Sequence, residues 1–258
     1  MPIEINGQPI GDIQLNGNNI SEVTASGTVV YTAGTNIVTD NLVVHLDAAQ
    51  SSSYPGSGTT WFDISGNNND ATFVGSPSYQ TGSGGHFDLD GSNDYFEGVH
   101  NSQTNLSSSA GTIEVVFRID SNPGDWVSIF GKIANSNNRS YSLWYNVSSE
   151  AFLWQRYNGD DVSASSSNPS PSLGEWYHMA GVSDGSDHRL YLNGQLLDTD
   201  FSSSTFAQNT EPYRVGYDGN NVHTEHNGDV AIARMYSDAL TTSEISQNFE
   251  ATRDRYGL

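Results

Sequence analysis

The chain has 258 residues, and 30 Asp and Glu against nine Lys and Arg give it a formal net charge of −21 at pH 7. Such a surface repels phosphate groups, so neither a nucleic acid nor an anionic membrane is expected as a partner. The lack of cysteine excludes a disulfide framework and a thiolate metal site.

The first predicted element is a repeat of ten residues. Residues 4–13, 14–23 and 24–33 read EINGQPIGDI, QLNGNNISEV and TASGTVVYTA, with Gly7, Gly17 and Gly27 in register. Glycine suits a tight turn because it tolerates positive φ, so the repeat predicts a meander of very short strands. Such units bury too little apolar surface to be stable alone, so residues 1–36 are predicted to be an attachment or oligomerisation segment. An ordinary pair of edge strands is the alternative.

From residue 37 to residue 258, strand patterns follow one another at short spacing, which is typical of an all-β domain. In TIEVVFRI, residues Ile113, Val115 and Phe117 share one face of a strand, whereas Glu114 and Arg118 share the other. This alternation predicts one buried and one solvated face, as in an antiparallel sandwich of two sheets.

One clear helix is predicted near the end of the chain, in LTTSEISQNF. Thr241 followed by Glu244 predicts a capping box, in which each residue satisfies a backbone N–H of the other. Ile245 and Phe249 then lie on one side of the helix. We expect this helix to close one end of the sandwich.

Four stretches carry a resemblance to a known family: LVVHLDAAQSSSYPGSGTTWFDISGNNNDATFVG, GHFDLDGSNDYFEG, GEWYHMAGVSDGSDHRLYLNGQLL and NGDVAIARMYSDALTTSEISQNFEATRDRYGL. In order and spacing they resemble the laminin G-like or concanavalin A-like jelly-roll domains, particularly those of bacteriophage structural proteins. The resemblance implies an all-β, antiparallel two-sheet jelly-roll sandwich over residues 37–258. The short N-terminal β meander precedes this sandwich, and the C-terminal helix ends it.

The same resemblance implies a biological setting. The opening repeat and the closing QNFEATRDRYGL are similar to segments of phage virion proteins. A non-enzymatic virion protein is therefore expected, as a decoration, fibre or spike-like component of the particle. Its implied partners are capsid or tail proteins and further copies of itself, as a homotrimer. The fold also hosts lectins and polysaccharide-degrading enzymes, so a lectin-like module that binds host glycans is the alternative and an enzyme the third hypothesis.

Two catalytic patterns occur in proteins of this fold, that of a glycoside hydrolase and that of a lyase. A glycoside hydrolase needs a pair of carboxyl groups. In the hydrolases of this fold family they come from an ExDxxE pattern, whereas Glu114 and Asp120 lack its middle acid and its spacing. No enzyme is therefore predicted. Lyases of this fold family use clustered Arg, His, Gln and Tyr side chains, and no histidine lies in the predicted strands that hold the other three. One predicted hairpin holds those three types: Arg139, Tyr141, Gln155, Arg156 and Tyr157.

The same hairpin, SYSLWYNVSSEAFLWQRYNGDD, holds the candidate carbohydrate-binding residues. Trp144 and Trp154 are expected to point outward and to pair across the strands, with Arg156 and Asn146 alongside. Aromatic faces stack on sugar rings, and amide or guanidinium groups bond sugar hydroxyls. Packing of both indoles in a core or an interface is the alternative. The remaining tryptophans are predicted to be core residues: Trp61, Trp126 and Trp176.

The segment DISGNNND, residues 63–70, raises the question of a metal. Oxygen donors recur at the 1, 3, 5 spacing of a calcium loop, but Asn68 and Val74 stand where an EF-hand needs Gly and Glu. A looser Ca²⁺ site is predicted from five residues: Asp63, Ser65, Asn67, Asp70 and Asp90. The alternative is a turn in which Asx side chains bond their own backbone.

Overall fold

A computed structural model describes residues 36–82, 84–106, 110–157, 161–201, 207–219 and 225–258, together with the backbone pairing of six short strands before them. The chain separates into two compact units, Met1–Ile37 and Val38–Leu258.

The first unit contains three antiparallel strand pairs. They are β1 (Glu4–Ile5) with β2 (Gln8–Pro9), β3 (Gln14–Leu15) with β4 (Asn18–Asn19), and β5 (Glu22–Ala25) with β6 (Thr28–Thr32). Each pair forms its own two-stranded sheet, so the described pairing is local to each repeat of the sequence. The two residues between paired strands are Asn-Gly, Asn-Gly and Ser-Gly, and Asn-Gly especially favours local closure. Gly7, Gly17 and Gly27 themselves lie outside the described residues.

The second unit is built from two antiparallel sheets. The first sheet contains β7 (Leu42–Asp47), β10 (Ser78–Gln80), β11 (His86–Asp90), β13 (Gly111–Ile119), β18 (Trp176–Ser183), β19 (His188–Leu192), β20 (Gln195–Asp200) and β22 (Asn227–Tyr236). The second sheet contains β8 (Thr60–Trp61), β9 (Ala71–Val74), β12 (Tyr95–Glu97), β14 (Val127–Asn135), β15 (Asn138–Asn146), β16 (Ala151–Tyr157), β17 (Asp161–Ser166) and β21 (Arg214–Val215).

Strands that are distant in the chain are neighbours in both sheets. The first sheet has the order β10-β11-β22-β13-β18-β19-β20, and β7 pairs with β22 beyond the end of β11. The second sheet has the order β17-β16-β15-β14-β21-β12-β9-β8. This arrangement confirms the predicted two-sheet jelly-roll sandwich.

Strand β13 illustrates how the core forms. Ile113, Val115 and Phe117 are fully buried between the sheets, as their spacing predicted. The prediction that the other face is solvated is wrong at Glu114, which is also fully buried. The reason is that a helix covers the outer face of the first sheet.

This helix is α1 (Thr242–Glu250), and its capping box is confirmed. The Thr241 side chain accepts a hydrogen bond from the Glu244 backbone N–H, and the Glu244 carboxylate accepts one from the Thr241 backbone N–H. Ile245 packs with Val182 and Tyr236 of the first sheet. The helix thus lies on the outside of that sheet instead of closing an end, and a 3₁₀ turn, Arg253–Arg255, follows it.

The carboxylate of Glu114 connects this helix to the sheet. Its Oε2 accepts hydrogen bonds from Asn248 Nδ2 on α1 at 2.9 Å and from Arg234 Nη1 at 3.4 Å. His178 Nε2 lies 3.6 Å from the other carboxylate oxygen. Asn248 Oδ1 also accepts from the backbone N–H of Val38 at 2.7 Å, so the helix holds the start of the second unit as well.

Carboxylates also close one sheet edge. Strand β17 is the edge of the second sheet, and an exposed edge invites pairing with another chain. The backbone N–H groups of Ser163 and Ser165 donate to Asp200 and Asp198 of β20, at 3.1 and 2.9 Å. This edge is therefore blocked by side chains of the opposite sheet. No helix in the described part of the chain has the length and apolarity needed to cross a membrane.

We predict that Glu114→Gln destabilises the fold by about 3 kcal/mol at pH 7, because it leaves the Arg234 guanidinium buried without its counter-charge. Burial alone raises the pKa of the Glu114 carboxyl, but His178, Arg234 and Asn248 bring that pKa below its ordinary value. The stabilisation is therefore present above the pKa of the unfolded chain and is lost as the pH falls through the lowered pKa of the folded chain.

Urea denaturation at pH 7 and in steps down to acid conditions measures this difference. Glu250→Gln is the matched control, since Glu250 is exposed and its ion pair with Arg253 contributes less than about 1 kcal/mol. Equal losses in the two variants would contradict the role of Glu114.

For the helix cap, Thr241→Ala should lower the free energy of unfolding by about 1 kcal/mol, because the Glu244 N–H loses its acceptor. Thr241→Ser keeps that acceptor and should unfold like the wild type. A Thr241→Ala protein with unchanged thermal stability would show that the capping box contributes nothing.

Candidate functional site

The outer face of the second sheet is polar along β15 and β16. Leu143 of β15 enters the core, so Ser142 and Trp144 lie on the opposite side of that strand. The register places Ser142 opposite Gln155 and Trp144 opposite Leu153 on β16. This face therefore combines an indole with hydroxyl and amide groups.

A β-bulge in β15 puts Arg139 on the same face. The pairing of β15 with β16 and with β14 shifts register around Ser140, which has no partner on either strand. In a regular strand Arg139 would share a face with Tyr141, which is buried in the core. The extra residue reverses this, and Arg139 lies opposite Tyr157. Bulges of this kind often re-aim a side chain beside a functional site.

Five side chains line a cavity of about 150 Å³ on this face: Trp126, Arg139, Trp144, Leu153 and Gln155. Arg139 Nη1 donates a hydrogen bond to Gln155 Oε1 at 2.7 Å. The guanidinium carbon of Arg139 lies 5.4 Å from the centre of the Trp144 ring and 6.0 Å from that of Tyr157. Cation–π contacts and the hydrogen bond thus hold the guanidinium group in place.

The described lining of the cavity offers groups that can bind a ligand. Trp144 is only 2% exposed and forms its floor, whereas Trp126 and Leu153 are half-buried and accessible from solvent. Among the described residues the lining consists of a guanidinium, an amide and apolar side chains, without a carboxyl group. It suits a polar ligand with an apolar face.

The predicted pair of Trp144 and Trp154 does not form. Trp154 lies opposite Leu143, and both side chains belong to the core. Trp154 packs directly on Gly181 of the first sheet, where no larger side chain would fit. The prediction placed Trp144 opposite Trp154. The residue opposite Trp144 is Leu153, and Trp154 is the next residue on β16, so its side chain lies on the other face of the sheet.

Two further predicted binding residues lie elsewhere. Arg156 shares the inner side of β16 with Trp154 and is 1% exposed, and burial lowers its pKa to about 9. Asn146 is nearly buried, and its Oδ1 accepts a hydrogen bond from the Ser149 backbone N–H at 2.9 Å. Asn146 therefore closes the hairpin turn between β15 and β16.

Trp126 is the cavity residue that the sequence prediction missed. The prediction grouped it with Trp61 and Trp176 as a core residue, and only Trp61 is fully buried. Trp126 follows the turn sequence SNPGD and precedes β14. Its place directly after a Pro-Gly turn was the available signal, because residues beside such turns lie at the surface.

The catalytic patterns do not assemble. Glu114 is buried beneath α1, and Asp120 follows the far end of the same strand, about 20 Å away at ~3.3 Å per residue. The lyase set is divided between two sides of the sheet. Arg139, Gln155 and Tyr157 share the outer face, whereas Tyr141 and Arg156 point inward.

The predicted calcium residues form a hydrogen-bonded turn. Asp63 Oδ1 accepts from the backbone N–H groups of His45 and Ser65, and Oδ2 accepts from Ser65 Oγ and the Asn69 N–H, all at 2.8–2.9 Å. Asp70 accepts from the Asp63 N–H. These donors occupy the lone pairs that a cation would need, so the residues do not fit a metal site.

The remaining predicted ligands are engaged in the same way. Asn67 Nδ2 donates to the Leu42 carbonyl oxygen at 2.9 Å and so fastens the loop to β7. Asp90 stands in a separate turn, where its Oδ1 accepts from the N–H groups of Ser92 and Asn93. The alternative of an Asx-rich turn therefore describes the geometry.

Another group of acids does converge, at a cavity of about 300 Å³ on the first sheet. Oxygen atoms of Asp88, Asp120 and Asp229 lie within 4.8 Å of one another. Arg118 already balances this charge, since its Nη2 lies 2.7 Å from Asp229 Oδ2 and its Nε lies 3.0 Å from Asp120 Oδ1. Burial raises the pKa of Asp88 and Asp229.

A family model described as the concanavalin A-like lectin/glucanases superfamily matches residues 90–246, more than half of the chain. No curated protein sequence matched the chain.

Solved structures of the same fold include two toxin binding domains and an enzyme. The binding domain of Paraclostridial Mosquitocidal Protein 1 superimposes with a TM-score of 0.64 at 19% identity, over 82% of this chain and 52% of that one. The receptor binding domain of botulinum neurotoxin C/D mosaic serotype gives 0.64 at 16% identity, over 83% and 52%. Trypanosoma rangeli sialidase gives 0.64 at 16% identity, over 91% and 36%. The chain thus spans about half of the binding domains and about a third of the sialidase.

If the Asp63 loop is held by hydrogen bonds alone, Asp63→Asn should cost about 2 kcal/mol of stability, because one carboxylate oxygen becomes an amide that cannot accept. Asp90→Asn, in an exposed turn, is the control and should cost less. Melting with excess Ca²⁺ and with chelator should give the same Tm. A Tm that rises with Ca²⁺ in the wild type and not in Asp63→Asn would instead establish the calcium site.

Proposed function

Since the chain belongs to the concanavalin A-like lectin/glucanases superfamily, we propose that it is a carbohydrate-binding protein that holds a glycan in the cavity of the second sheet. The observation that carries this proposal is the joint presence of Trp126, Arg139 and Gln155 around one cavity.

The cavity has the chemistry that sugars require. A sugar ring has an apolar face, which packs on an aromatic side chain, and hydroxyl groups, which bond amide and guanidinium groups. Trp126 and Leu153 supply accessible apolar surface, and Gln155 and Arg139 supply polar groups. At about 150 Å³ the cavity is smaller than the ~300 Å³ at which pockets for drug-sized ligands begin. It accommodates one sugar residue, with the remainder of a glycan outside.

Binding without cleavage is the activity that this lining supports. A glycoside hydrolase needs two carboxyl groups beside the scissile bond, and the five lining side chains include none. The similar solved structures include both binding proteins and an enzyme, because two are binding domains and one is a sialidase. A further similar structure is the binding domain of Botulinum Neurotoxin DC in complex with SialylT.

The virion setting stays a prediction. It depends on the resemblance of the opening repeat and the closing segment to phage proteins, and the solved relatives come from toxins and a sialidase. Attachment through residues 1–36 to capsid or tail proteins, and assembly as a homotrimer, stay predictions as well. A glycan-binding second unit is compatible with such a role, since a particle that adsorbs to a host needs a surface ligand.

We predict that Trp126→Ala weakens glycan binding about tenfold or more, because a half-buried tryptophan at the centre of a contact contributes much of its free energy. A glycan array identifies the ligand, and isothermal titration calorimetry measures Kd for the wild type and the variant.

Trp176→Ala is the matched control, since Trp176 packs against Tyr256 with ring centres 4.8 Å apart and tilted by 39°, outside the first sheet. Its Kd should equal that of the wild type. Absence of binding to every glycan, or equal Kd values for Trp126→Ala and the wild type, would refute the proposal.

A further inference from the structure

Resting on the proposed function, we infer that this cavity selects glycans that carry a carboxylate, such as sialic or uronic acid residues, and that Arg139 is the residue that selects them.

The first observation is the charge balance of Arg139. Other arginines of the described chain form ion pairs with carboxylates: Arg118, Arg189, Arg214, Arg234, Arg253 and Arg255. Arg156 lies in the core and has contacts of its own. For Arg139 the described residues supply no carboxylate within ion-pairing distance. In a chain with 30 acidic residues and nine basic ones, the partners of this guanidinium among the described residues are neutral.

The second observation is which atoms of Arg139 are engaged. Nη1 donates to Gln155 Oε1, whereas Nε is buried without a hydrogen-bond partner and Nη2 forms none within the described residues. Nε and Nη2 point in parallel from one edge of the guanidinium plane. This edge matches the two oxygens of a carboxylate in a bidentate arrangement.

The third observation is that the guanidinium is already positioned. Contacts with the rings of Trp144 and Tyr157 and the bond to Gln155 fix its plane before any ligand arrives. The β-bulge at Ser140 places it on the outer face in the first place. Little side-chain freedom is therefore lost on binding, which increases affinity.

The net charge of −21 does not prevent a carboxylated glycan from binding beside Arg139. At physiological ionic strength the Debye length is about 8 Å, so most of the surface carboxylates are screened from a ligand in the cavity. Arg139 lines the cavity, and the other four described lining residues carry no carboxylate. A carboxylated sugar thus meets a local positive charge on an acidic protein.

The test compares each acidic glycan with its own neutral counterpart. The probes are sialyllactose and a galacturonic acid oligosaccharide, each alongside the same glycan with its carboxyl group reduced to an alcohol. Kd is measured by isothermal titration calorimetry. Wild-type protein should bind the carboxylated form about 10- to 100-fold more tightly, as expected for a charge-assisted bidentate pair.

Arg139→Gln should bind both forms of each glycan with the weaker Kd. Arg139→Lys keeps the positive charge but lacks the two parallel N–H donors of the guanidinium group, so it should retain part of the preference for the carboxylated form. Arg189→Gln removes an arginine from a partly exposed ion pair with Asp184 and is the control that should keep the full preference. Thermal melting shows whether the variants fold, and Arg139→Lys retains the test if Arg139→Gln does not.

The outcomes separate the two proposals. Equal binding of reduced and carboxylated glycans by the wild type overturns the acidic ligand and leaves glycan binding intact. A preference that survives in both Arg139 variants overturns the role of Arg139. Failure to bind any glycan overturns the proposed function, and the inference with it.

Discussion

The second unit depends on one buried carboxylate. Glu114 is fully enclosed and holds together the first sheet, through Arg234, and helix α1, through Asn248. The same Asn248 fixes Val38 at the start of the unit. A buried charge is costly unless it is paired and hydrogen-bonded, so these elements must dock together for the fold to be stable. The first sheet is consequently covered on both faces along β13.

That cover determines which surface is open to a ligand. The second sheet packs on the core with one face, and its edge strand β17 is blocked by Asp198 and Asp200. Its outer face along β15 and β16 holds the cavity with Trp126 and Arg139. Side chains alternate along a strand, so one inserted residue, Ser140, is enough to bring a guanidinium to this face. A structural irregularity thus provides the charged group of the site.

The sequence predicts the structure correctly where the interacting residues lie close together in the chain. The capping box of Thr241 and Glu244 involves residues three apart, and the alternation of Ile113, Val115 and Phe117 follows from strand geometry. The Asx-turn alternative for Asp63 likewise follows from nearby donors. Positions that depend on packing between distant segments differ from the sequence prediction, since Glu114, which the strand pattern places on a solvated face, is buried beneath α1.

The sequence by itself determined that the chain is acidic, free of cysteine and rich in strands and that a capped helix lies near its end, while its resemblance to a known family implied the jelly-roll sandwich. Only the tertiary structure decided which tryptophan serves the cavity. Trp154 lies in the core because its register on β16 sets it opposite Leu143, whereas Trp126, which follows a turn, lines the cavity. Because side chains alternate between the two faces of a strand, the face on which a given side chain lies is known only once the register is known.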